Sequence, residues 1–504
     1  MDSILDRGAF APCPSPFNMA QHVLGAASRT PDKLALAVMA ETGMTPYSYA
    51  ALEAAVRGTG TGLLRAGMTP GDILLLRLGN TAQFPIAYLG AIAVGIVPVP
   101  TSSQLTQAEV DAMVQTLKPK AVAQSASVSA PTAGACLSLS EAELHAMQAL
   151  PACDYDMGPP ERLAYIIYTS GTSGQARAVQ HAHRAIWARQ MMFQGWYGLT
   201  SEDRLCHAGA FNWTFTLGTG LMDPWTLGAT ALIAQDATPP EALLTLVKQH
   251  GATVFAAAPG VYRKLLKPRQ PLDLPQLRHA LSAGEKLSET LRTRWRDASG
   301  TEIYEAYGMS ECSTFISASP TTRAAHGALG TAQPGRRVAL LGPDGPVAQG
   351  EVGEIAVHRD DPGLMLGYLG AKQETEARFD GQWFKTGDLG RMDAQGQIYY
   401  EARKDDMMNA GGYRVSPLEV EAALSDFEGL SSLAVTDVEI KEDVRIIVGF
   451  YTSEQPIDEK ALQRHAQNRL AGYKCPRHFQ RLSALPLGPN NKLRRKALKA
   501  LIAI

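Results

Sequence analysis

One stretch of the chain joins a run of apolar residues directly to a run of small and hydroxyl residues: Leu163-Ala164-Tyr165-Ile166-Ile167-Tyr168-Thr169-Ser170-Gly171-Thr172-Ser173-Gly174-Gln175-Ala176-Arg177. The apolar half has the length and composition of a buried β-strand. In the second half, glycines let the backbone turn tightly, and hydroxyls stand beside the backbone N–H groups. Such a concavity suits polyphosphate, and Arg177 adds a permanent positive charge. The stretch therefore predicts a phosphate-binding loop after a strand.

A polar surface turn is the alternative interpretation of this loop. A turn has no need of several hydroxyl residues straight after a buried strand, so we favour phosphate binding. The loop is not of the Walker A type, because no glycine-lysine-serine/threonine follows Gly174.

Strand and helix patterns alternate on both sides of the loop. Residues 72–78 form a short apolar run typical of a buried strand, residues 84–94 have helical length, and Val97–Pro100 completes a strand–helix–strand unit. The alternation continues with a strand at 229–234, a helix at 241–250 and a strand at 254–258. This rhythm predicts an α/β fold built on mainly parallel sheets.

The C-terminal part of the chain has a different character. Residues 327–400 are rich in glycine and short β-like segments, which predicts a β-rich subdomain. We expect a large N-terminal domain over 1–402 and a small α+β domain over 403–504. In the small domain, Ser416-Pro417-Leu418-Glu419 predicts a helix start, with serine as N-cap, proline at the first position and glutamate completing a capping box.

The composition excludes several classes of protein. The chain has 504 residues, of which 45% are hydrophobic and 19% charged, and its formal net charge is −2. It is too apolar for disorder, and its charge provides no field for nucleic acid or an anionic membrane. The six cysteines lack zinc spacing, and the N-terminus lacks the apolar core of a signal peptide. We therefore expect a soluble, cytoplasmic protein with reduced thiols and no nucleic-acid or membrane partner.

The phosphate loop resembles the signature of the adenylate-forming superfamily, which includes acyl-CoA synthetases, peptide-synthetase adenylation domains and luciferases. The usual pattern is T-S-G-T-T-G-x-P-K-G, whereas this chain has Ser173 for the second threonine and Ala176-Arg177-Ala178 for proline-lysine-glycine. Arginine keeps the charge of lysine but presents a planar fork. The resemblance implies that the loop residues bind ATP: Thr169, Ser170, Gly171, Thr172, Ser173 and Gly174.

Two more segments resemble the parts of this family that hold the nucleotide. Ser282-Ala283-Gly284-Glu285 resembles the adenine-side segment, and residues 304–311 contain Y-G-x-T-E with serine for threonine. The resemblance implies that Tyr307 packs on adenine and that Glu311, which alone would read as a surface acid, helps to hold Mg²⁺, an ion that prefers oxygen ligands. It implies ATP or AMP contacts for Gly284, Glu285, Glu305, Ala306, Tyr307, Gly308, Met309 and Ser310.

Two segments resemble the family's ribose site and hinge. Trp383-Phe384-Lys385-Thr386-Gly387-Asp388 is similar to W-x-x-T-G-D, which implies that Asp388 accepts hydrogen bonds from both ribose hydroxyls. Arg403-Lys404-Asp405-Asp406 is similar to G-R-x-D-D, with Ala402 in place of glycine. By this resemblance Arg403 also reaches the ribose, and the small, mobile C-terminal domain pivots at Asp405.

Two C-terminal segments resemble the parts that alternate at the active site. Residues 409–417 are similar to the segment that faces the site during thiol transfer, which implies coenzyme A contacts for Gly411, Gly412 and Tyr413 and a phosphate or coenzyme A contact for Arg414. Residues 486–495 resemble the P-x-T-x-x-G-K-x-x-R-R ending, in which Lys492 is the adenylation lysine. Gly488 and Asn491 depart from that pattern, although asparagine tolerates left-handed backbone angles better than most residues.

The resemblance implies an ATP-dependent acid–thiol ligase in which Lys492, Glu311, Arg177 and Arg414 are catalytic. It is strongest to medium-chain and benzoate-type acyl-CoA synthetases, through residues 221–229. The expected acyl pocket is Phe211, Asn212 and Trp213. Asn212 stands where peptide synthetases carry an aspartate, which disfavours an amino acid substrate. Trp213 suggests an apolar or aromatic tail, and ordinary core packing is an equally good interpretation. We expect an aromatic, alicyclic or medium-chain acid, with coenzyme A as acceptor.

Three alternatives stay open at this point. The acceptor could be the phosphopantetheine of a carrier protein, although no carrier-like domain is fused to the chain. The altered loop around Arg177 leaves open a non-catalytic nucleotide-binding protein. Retention of the other motif residues argues against this alternative: Lys492, Glu311, Asp388 and Arg403. Nothing specific supports a luciferase-type oxygenase. Assembly into a homodimer is also left open.

Overall fold

The predicted strands at 229–234 and 254–258 belong to one large sheet. The computed structural model describes residues 1–41, 43–132, 136–169, 177–235, 238–268, 270–404, 406–410, 413–441, 444–470, 472, 474–488 and 493–502. Within these residues the sheet has nine strands, in the spatial order Thr331–Ala332, Ser313–Ser317, Ile303–Met309, His279–Ala283, Val254–Ala257, Arg204–His207, Thr230–Ala234, Leu34–Ala40 and Gly43–Ser48. The strands from Ile303–Met309 to Leu34–Ala40 run parallel, which confirms the expected α/β architecture.

Two smaller sheets lie in the same part of the chain. The strands Val97–Pro100, Ile73–Arg77, Ala121–Gln124 and Leu137–Ser140 form a parallel sheet. The strands Gly367–Tyr368, Arg177–Ala182 and Leu163–Thr169 form an antiparallel one. The predicted strand–helix–strand unit is therefore confirmed, and the apolar run before the phosphate loop is indeed a strand.

Helices connect and cover these sheets, and the N-terminal boundaries of several follow from local sequence. Gln107–Leu117 begins at a capping box of Thr106 and Glu109, and Gln83–Ala93 is apolar on all sides and buried. The other α-helices are Met19–Val23, Tyr49–Arg65, Glu141–Met147, Arg184–Ala188, Asp223–Leu227, Pro240–Gln249, Pro259–Leu265, Glu289–Ser299, Lys372–Ala377, Pro417–Leu424, Glu459–Arg469 and Arg495–Leu498. Gly25–Ser28 is a 3-10 helix, and Phe193–Tyr197 and Thr216–Met222 are π-helical.

The β-rich region expected over 327–400 is an antiparallel sheet. It consists of Ile4–Asp6, Arg337–Gly342, Gly345–Pro346, Val352–His358, Phe379–Asp380, Trp383–Met392 and Ile398–Arg403. Its first strand comes from the N-terminus of the chain, because Leu5 pairs with Val338. This N-terminal contribution was not visible in the sequence pattern.

The C-terminal part is a small α+β unit, as expected. Its sheet comprises Ser432–Lys441, Val444–Thr452 and His478–Arg481, and the strands Met408–Ala410 and Tyr413–Val415 pair separately. The helix Pro417–Leu424 begins with proline, as predicted, but the predicted capping box is wrong. The Ser416 hydroxyl donates instead to the carbonyl of Glu401 at 2.5 Å, so a tertiary partner replaces the local one. Among the described residues, no helix is both long and apolar enough to cross a membrane.

A buried ion pair fixes the start of the antiparallel sheet to the loop after Val352–His358. The Arg336 guanidinium donates to Asp361, and both side chains are almost completely buried, at 0% and 2% exposure. Asp361 also accepts from the backbone N–H of Gly363 at 2.8 Å. A buried charge is tolerated only when it is paired and hydrogen-bonded, so this loop depends on both partners.

Replacing Asp361 with asparagine should destabilise the protein. Asp361→Asn keeps the shape but leaves the Arg336 charge unpaired, so the free energy of unfolding should fall by about 3–5 kcal/mol. Urea unfolding followed by tryptophan fluorescence measures the change. The matched control is Asp360→Asn, whose side chain is 77% exposed and which should change stability by less than about 0.5 kcal/mol. Equal stability of both variants would contradict the role of the pair.

Candidate functional site

The predicted nucleotide segments follow adjacent parallel strands of the large sheet. His279–Ala283 and Ile303–Met309 are neighbours, with Ala283 opposite Ala306. Gly284 and Glu285 therefore leave the sheet beside the segment that contains Tyr307. Ligands of open α/β sheets commonly bind at the carboxyl ends of the parallel strands. The fold thus brings the two segments together at the kind of edge where a nucleotide could bind.

The carboxylate of Asp388 is in contact with side chains from the nine-stranded sheet and from the antiparallel sheet. It accepts from the Tyr307 hydroxyl at 2.6 Å, and the Arg403 guanidinium lies 3.3 Å from its other oxygen. Asp388 and Arg403 face each other in register on neighbouring strands. The Tyr400 hydroxyl approaches the same carboxylate at 3.4 Å. Three predicted nucleotide-binding residues are therefore in contact, and we call Tyr307, Asp388, Tyr400 and Arg403 the carboxylate cluster.

The carboxylate cluster keeps Tyr307 protonated. Burial of its hydroxyl, together with the nearby Asp388 charge, raises the pKa of Tyr307 well above its usual value. The phenol consequently donates a hydrogen bond throughout the physiological range. Its ring packs edge-on against Phe315, with centroids 5.4 Å apart. Phe315 holds the ring and Asp388 holds the hydroxyl, so the orientation of the ring is fixed. A fixed aromatic ring is suited to stacking on a flat base.

Glu311 is oriented by a tyrosine that the sequence did not single out. The Tyr368 hydroxyl donates to Glu311 at 2.7 Å, and burial raises the pKa of Tyr368, an effect that Glu311 reinforces. Glu311 supplies a carboxylate oxygen, the donor type that Mg²⁺ prefers. The described residues contain no cluster of three or more histidine, cysteine, aspartate or glutamate side chains that could hold a metal ion. A cation at Glu311 would take its further ligands from water or from a bound molecule such as a nucleotide phosphate.

The ends of the predicted phosphate loop are held together by strand pairing. Thr169 ends one strand and Arg177 begins the next, and the two face each other in register. The Arg177 side chain forms an ion pair with Glu374 at 2.7 Å, and this pair raises the pKa of Arg177. The strand that begins at Arg177 also pairs with Gly367–Tyr368. One small sheet therefore carries Arg177 and the tyrosine that orients Glu311.

The backbone of the Tyr307–Glu311 segment makes an unusually close approach to the strand that follows. A Cβ atom on Gly308 would lie 2.1 Å from the carbonyl oxygen of Ser313, so only glycine fits there. Ser313 itself has φ of 65°, a left-handed conformation that is uncommon for serine. Such backbone strain often accompanies functional sites.

Two predicted ATP-binding carboxylates have protein partners. Glu305 is buried, with its carboxylate accepting from the Leu287 N–H at 2.8 Å and from Arg292 at 3.1 Å. Glu285 lies 3.4 Å from Arg263 near the surface. A direct contact of either carboxylate with nucleotide stays a prediction; the structure supplies partners that explain both charges.

The predicted acyl residues occupy different environments. Trp213 lies over Gly284, whose φ is +94°; a Cβ there would be 2.6 Å from the indole ring. Phe211 is buried against Phe84, with ring centroids 5.7 Å apart, and Asn212 is partly exposed. Trp213 thus touches the adenine-side segment, whereas Phe211 belongs to the core.

The remaining predicted residues are only partly covered by the structure. Ser170, Gly171, Thr172, Ser173, Gly174, Asp405, Gly411, Gly412 and Lys492 lie outside the described residues. Tyr413 and Arg414 lie in the strand Tyr413–Val415. Ala306 and Met309 lie in the strand Ile303–Met309, and Ser310 follows it.

The chain is similar to known families and to proteins of known activity. Residues 24–369 match the family described as AMP-binding enzyme, and residues 419–492 match the AMP-binding enzyme C-terminal domain. The chain is 28% identical to the benzoate–CoA ligase of Thauera aromatica over 481 residues, covering 90% of each chain. It is 27% identical to the 3-hydroxybenzoate–CoA/4-hydroxybenzoate–CoA ligase of the same organism over 495 residues, covering 90% of this chain and 92% of the relative. A solved benzoate CoA ligase from Burkholderia xenovorans superposes with a TM-score of 0.86 at 26% identity, covering 96% and 100%.

Asp388→Asn should weaken nucleotide binding. The substitution keeps the size of the side chain but removes the negative charge. That charge attracts Arg403 and strengthens the hydrogen bond from the Tyr307 hydroxyl. Hydrogen bonds to charged groups contribute about 1.5–3 kcal/mol, so the Kd for ATP should rise roughly 10- to 100-fold in isothermal titration calorimetry. Asp393→Asn, at the turn of the same hairpin, is the control and should leave the Kd within about twofold. An unchanged Kd in Asp388→Asn would remove the carboxylate cluster from the nucleotide site.

Proposed function

Because this chain belongs to the AMP-binding enzyme family, we propose that it uses ATP to activate a carboxylic acid as acyl-AMP and then transfers the acyl group to coenzyme A. The observation that carries the proposal is the carboxylate cluster, in which Tyr307, Asp388 and Arg403 meet beside the segment that ends at Glu311. Flat aromatic, carboxylate and guanidinium groups match a base and a ribose. The benzoate-type relatives support the same reaction.

The first half-reaction needs positioning and charge neutralisation more than covalent chemistry. A carboxylate is a poor electrophile, so one of its oxygens attacks the α-phosphorus of ATP; the bond to the β-phosphate oxygen breaks and pyrophosphate leaves. Arg177 and Lys492 would balance negative charge on the transferring group once the C-terminal domain has brought Lys492 to the site. Mg²⁺, if bound at Glu311, would supply further charge neutralisation at the phosphates. Ser310 and the loop 169–174 would hold the phosphates by hydroxyl and N–H groups.

The second half-reaction requires a different face of the C-terminal domain. The coenzyme A sulfur attacks the carbonyl carbon of acyl-AMP, a thioester bond forms and AMP leaves. In the proposed cycle the domain that begins at 403 rotates about Asp405, so that Lys492 withdraws and Gly411, Gly412, Tyr413 and Arg414 approach. Closure and rotation of this kind often limit turnover.

We also propose the class of acid, the domain boundary and the compartment of this enzyme. The acid is aromatic, alicyclic or medium-chain, with Asn212 and Trp213 near it. The domain boundary lies between 402 and 403, and the enzyme works in the cytoplasm. A homodimer is compatible with this function and is tested by sedimentation.

Transfer to a carrier protein is the second candidate function, since the same adenylate could meet a phosphopantetheine thiol instead. A pyrophosphate-exchange assay without any thiol tests adenylate formation alone. Exchange absent with every acid would favour a non-catalytic nucleotide-binding protein. Thioester formation with coenzyme A but not with a carrier protein would then identify the acceptor.

Lys492→Ala should separate the two half-reactions. Loss of the ammonium should reduce pyrophosphate exchange by about 100-fold or more, because an electrostatic contact to the reacting group is removed. Thioester formation from supplied acyl-AMP should persist. Lys496→Ala, four positions along the same basic segment, is the control and should retain both activities. Equal loss of both half-reactions in Lys492→Ala would refute its assigned role.

Gly412→Leu should produce the opposite pattern. A branched side chain in the proposed pantetheine path should block coenzyme A transfer by about 100-fold while pyrophosphate exchange continues, since precise placement of reactants dominates such steps. Gly472→Leu is the matched control in the same domain, because a Cβ there meets nothing within 4 Å. Normal transfer by Gly412→Leu would mean that the thiol arrives by another route.

A further inference from the structure

A small, partly open cavity of about 20 Å³, large enough for one hydroxyl or amino group, lies between Ser310 and the π-helix Thr216–Met222, which follows the predicted acyl residues. Its polar and aromatic walls are formed by Tyr88, Tyr165, His181, Arg189, Ser310 and Ser313. Leu217, Gly218 and Met222 of the π-helix complete it. The cavity therefore adjoins both the predicted phosphate segment and the predicted acyl segment, where the tail of a bound acid would project.

Two buried polar atoms on this cavity have no hydrogen-bond partner in the part of the chain that the structure describes. Tyr88 is 0% exposed and His181 is 3% exposed. Among the described residues, neither the Tyr88 hydroxyl nor Nδ1 of His181 has a hydrogen-bond partner. Leaving a buried polar group unsatisfied is costly, and most such groups in proteins are paired. Both residues line the same cavity, so one occupant could satisfy both.

The chemistry of His181 defines what that occupant must supply. Its Nε2 lies 2.7 Å from the carbonyl oxygen of Ser310, which can only accept, so Nε2 carries the proton. Burial lowers the pKa of His181 to about 4, so the ring is neutral at physiological pH. Nδ1 consequently has an unshared lone pair and needs a donor. The Tyr88 hydroxyl can both donate and accept.

The remaining charge on the cavity wall is already balanced. Arg189 donates to both oxygens of Asp223, at 2.8 and 2.6 Å, and the side chains are 8% and 1% exposed. Another nitrogen of Arg189 donates to the Ser313 hydroxyl, which the left-handed backbone of Ser313 presents to it. Tyr197 also donates to Asp223 at 2.7 Å. The pair is neutral overall, so the cavity offers little attraction to a second carboxylate.

We propose that this cavity is the distal end of the acyl pocket and that it selects acids bearing one neutral hydrogen-bond donor, a hydroxyl or amino group, which donates to Nδ1 of His181 and pairs with the Tyr88 hydroxyl. This inference rests on the proposed function and narrows it. The acid is thus a hydroxy- or amino-substituted one, not a plain hydrocarbon acid or a diacid. Tyr88 and His181 are specificity-determining residues.

Matched acids test the selection. The probes are 2-, 3- and 4-hydroxybenzoate with the corresponding methylbenzoates, the three aminobenzoates, and 6-hydroxyhexanoate with heptanoate, because methyl and hydroxyl groups are similar in size. Pyrophosphate release with ATP and coenzyme A gives kcat/KM for each acid. A pocket built for a hydroxyl rejects the analogue that lacks it, so at least one hydroxy or amino acid should exceed its methyl twin by about 10- to 100-fold.

Tyr88→Phe supplies the residue-level test. The ratio of kcat/KM for the preferred acid to kcat/KM for its methyl twin should fall to within about threefold of unity. The melting temperature should stay level or rise, because the lost hydroxyl has no partner among the described residues. Tyr262→Phe is the control, because the Tyr262 hydroxyl donates to the Leu281 carbonyl at 2.8 Å. In this variant the melting temperature should fall, and the ratio between the two acids should be unchanged.

Each other outcome overturns the inference. Methyl acids that match their hydroxy twins in the wild type, or a ratio unchanged by Tyr88→Phe, would mean that the cavity holds only water. Preference for a diacid would mean that Arg189 is free to bind it. If no acid releases pyrophosphate, the proposed function itself fails, which the first two outcomes leave intact.

Discussion

The geometry of the site depends on one carboxylate, that of Asp388. It is 6% exposed, so it is stable only because surrounding groups replace its lost hydration. Those groups come from different sheets: Tyr307 from the end of a parallel strand, and Arg403 from the strand opposite Asp388. This desolvated charge therefore links the large sheet to the antiparallel sheet at the candidate site.

Local pattern was sufficient for most of the fold, because the strands and helices here carry their own signals. The apolar run at 72–78 became the strand Ile73–Arg77, and the helix expected at 241–250 became Pro240–Gln249. The pattern failed where a distant partner overrode a local one. The Ser416 hydroxyl bonds to Glu401, and the strand Ile4–Asp6 joins a sheet whose other members lie more than three hundred residues away. Neither contact leaves a trace in sequence periodicity.

Within the site, sequence identified groups and structure identified their partners. Tyr307, Asp388 and Arg403 were found by resemblance of short motifs, and the structure brings them into contact. Tyr368, which orients Glu311, is 57 residues from it, and Glu374 is 197 residues from Arg177. Such pairings arise from sheet topology and could not be read from spacing. The cavity atoms that lack a partner among the described residues, the Tyr88 hydroxyl and Nδ1 of His181, likewise result from packing, since the two residues belong to separate elements that meet only in the fold.

The departure of the phosphate loop from its usual sequence has a physical consequence at Arg177. Arginine forms directional pairs with carboxylates, and here it meets Glu374 at 2.7 Å. Glu374 remains 40% exposed, and ion pairs in contact with solvent contribute little net stability. A nucleotide phosphate is also an anion, and two of its oxygens can accept a bidentate pair of hydrogen bonds from a guanidinium, as a carboxylate does. In the proposed function, a nucleotide phosphate would therefore replace Glu374 at small cost. The substitution of arginine for lysine is compatible with the proposed phosphate binding because the ion pair with Glu374 is in contact with solvent and therefore weak.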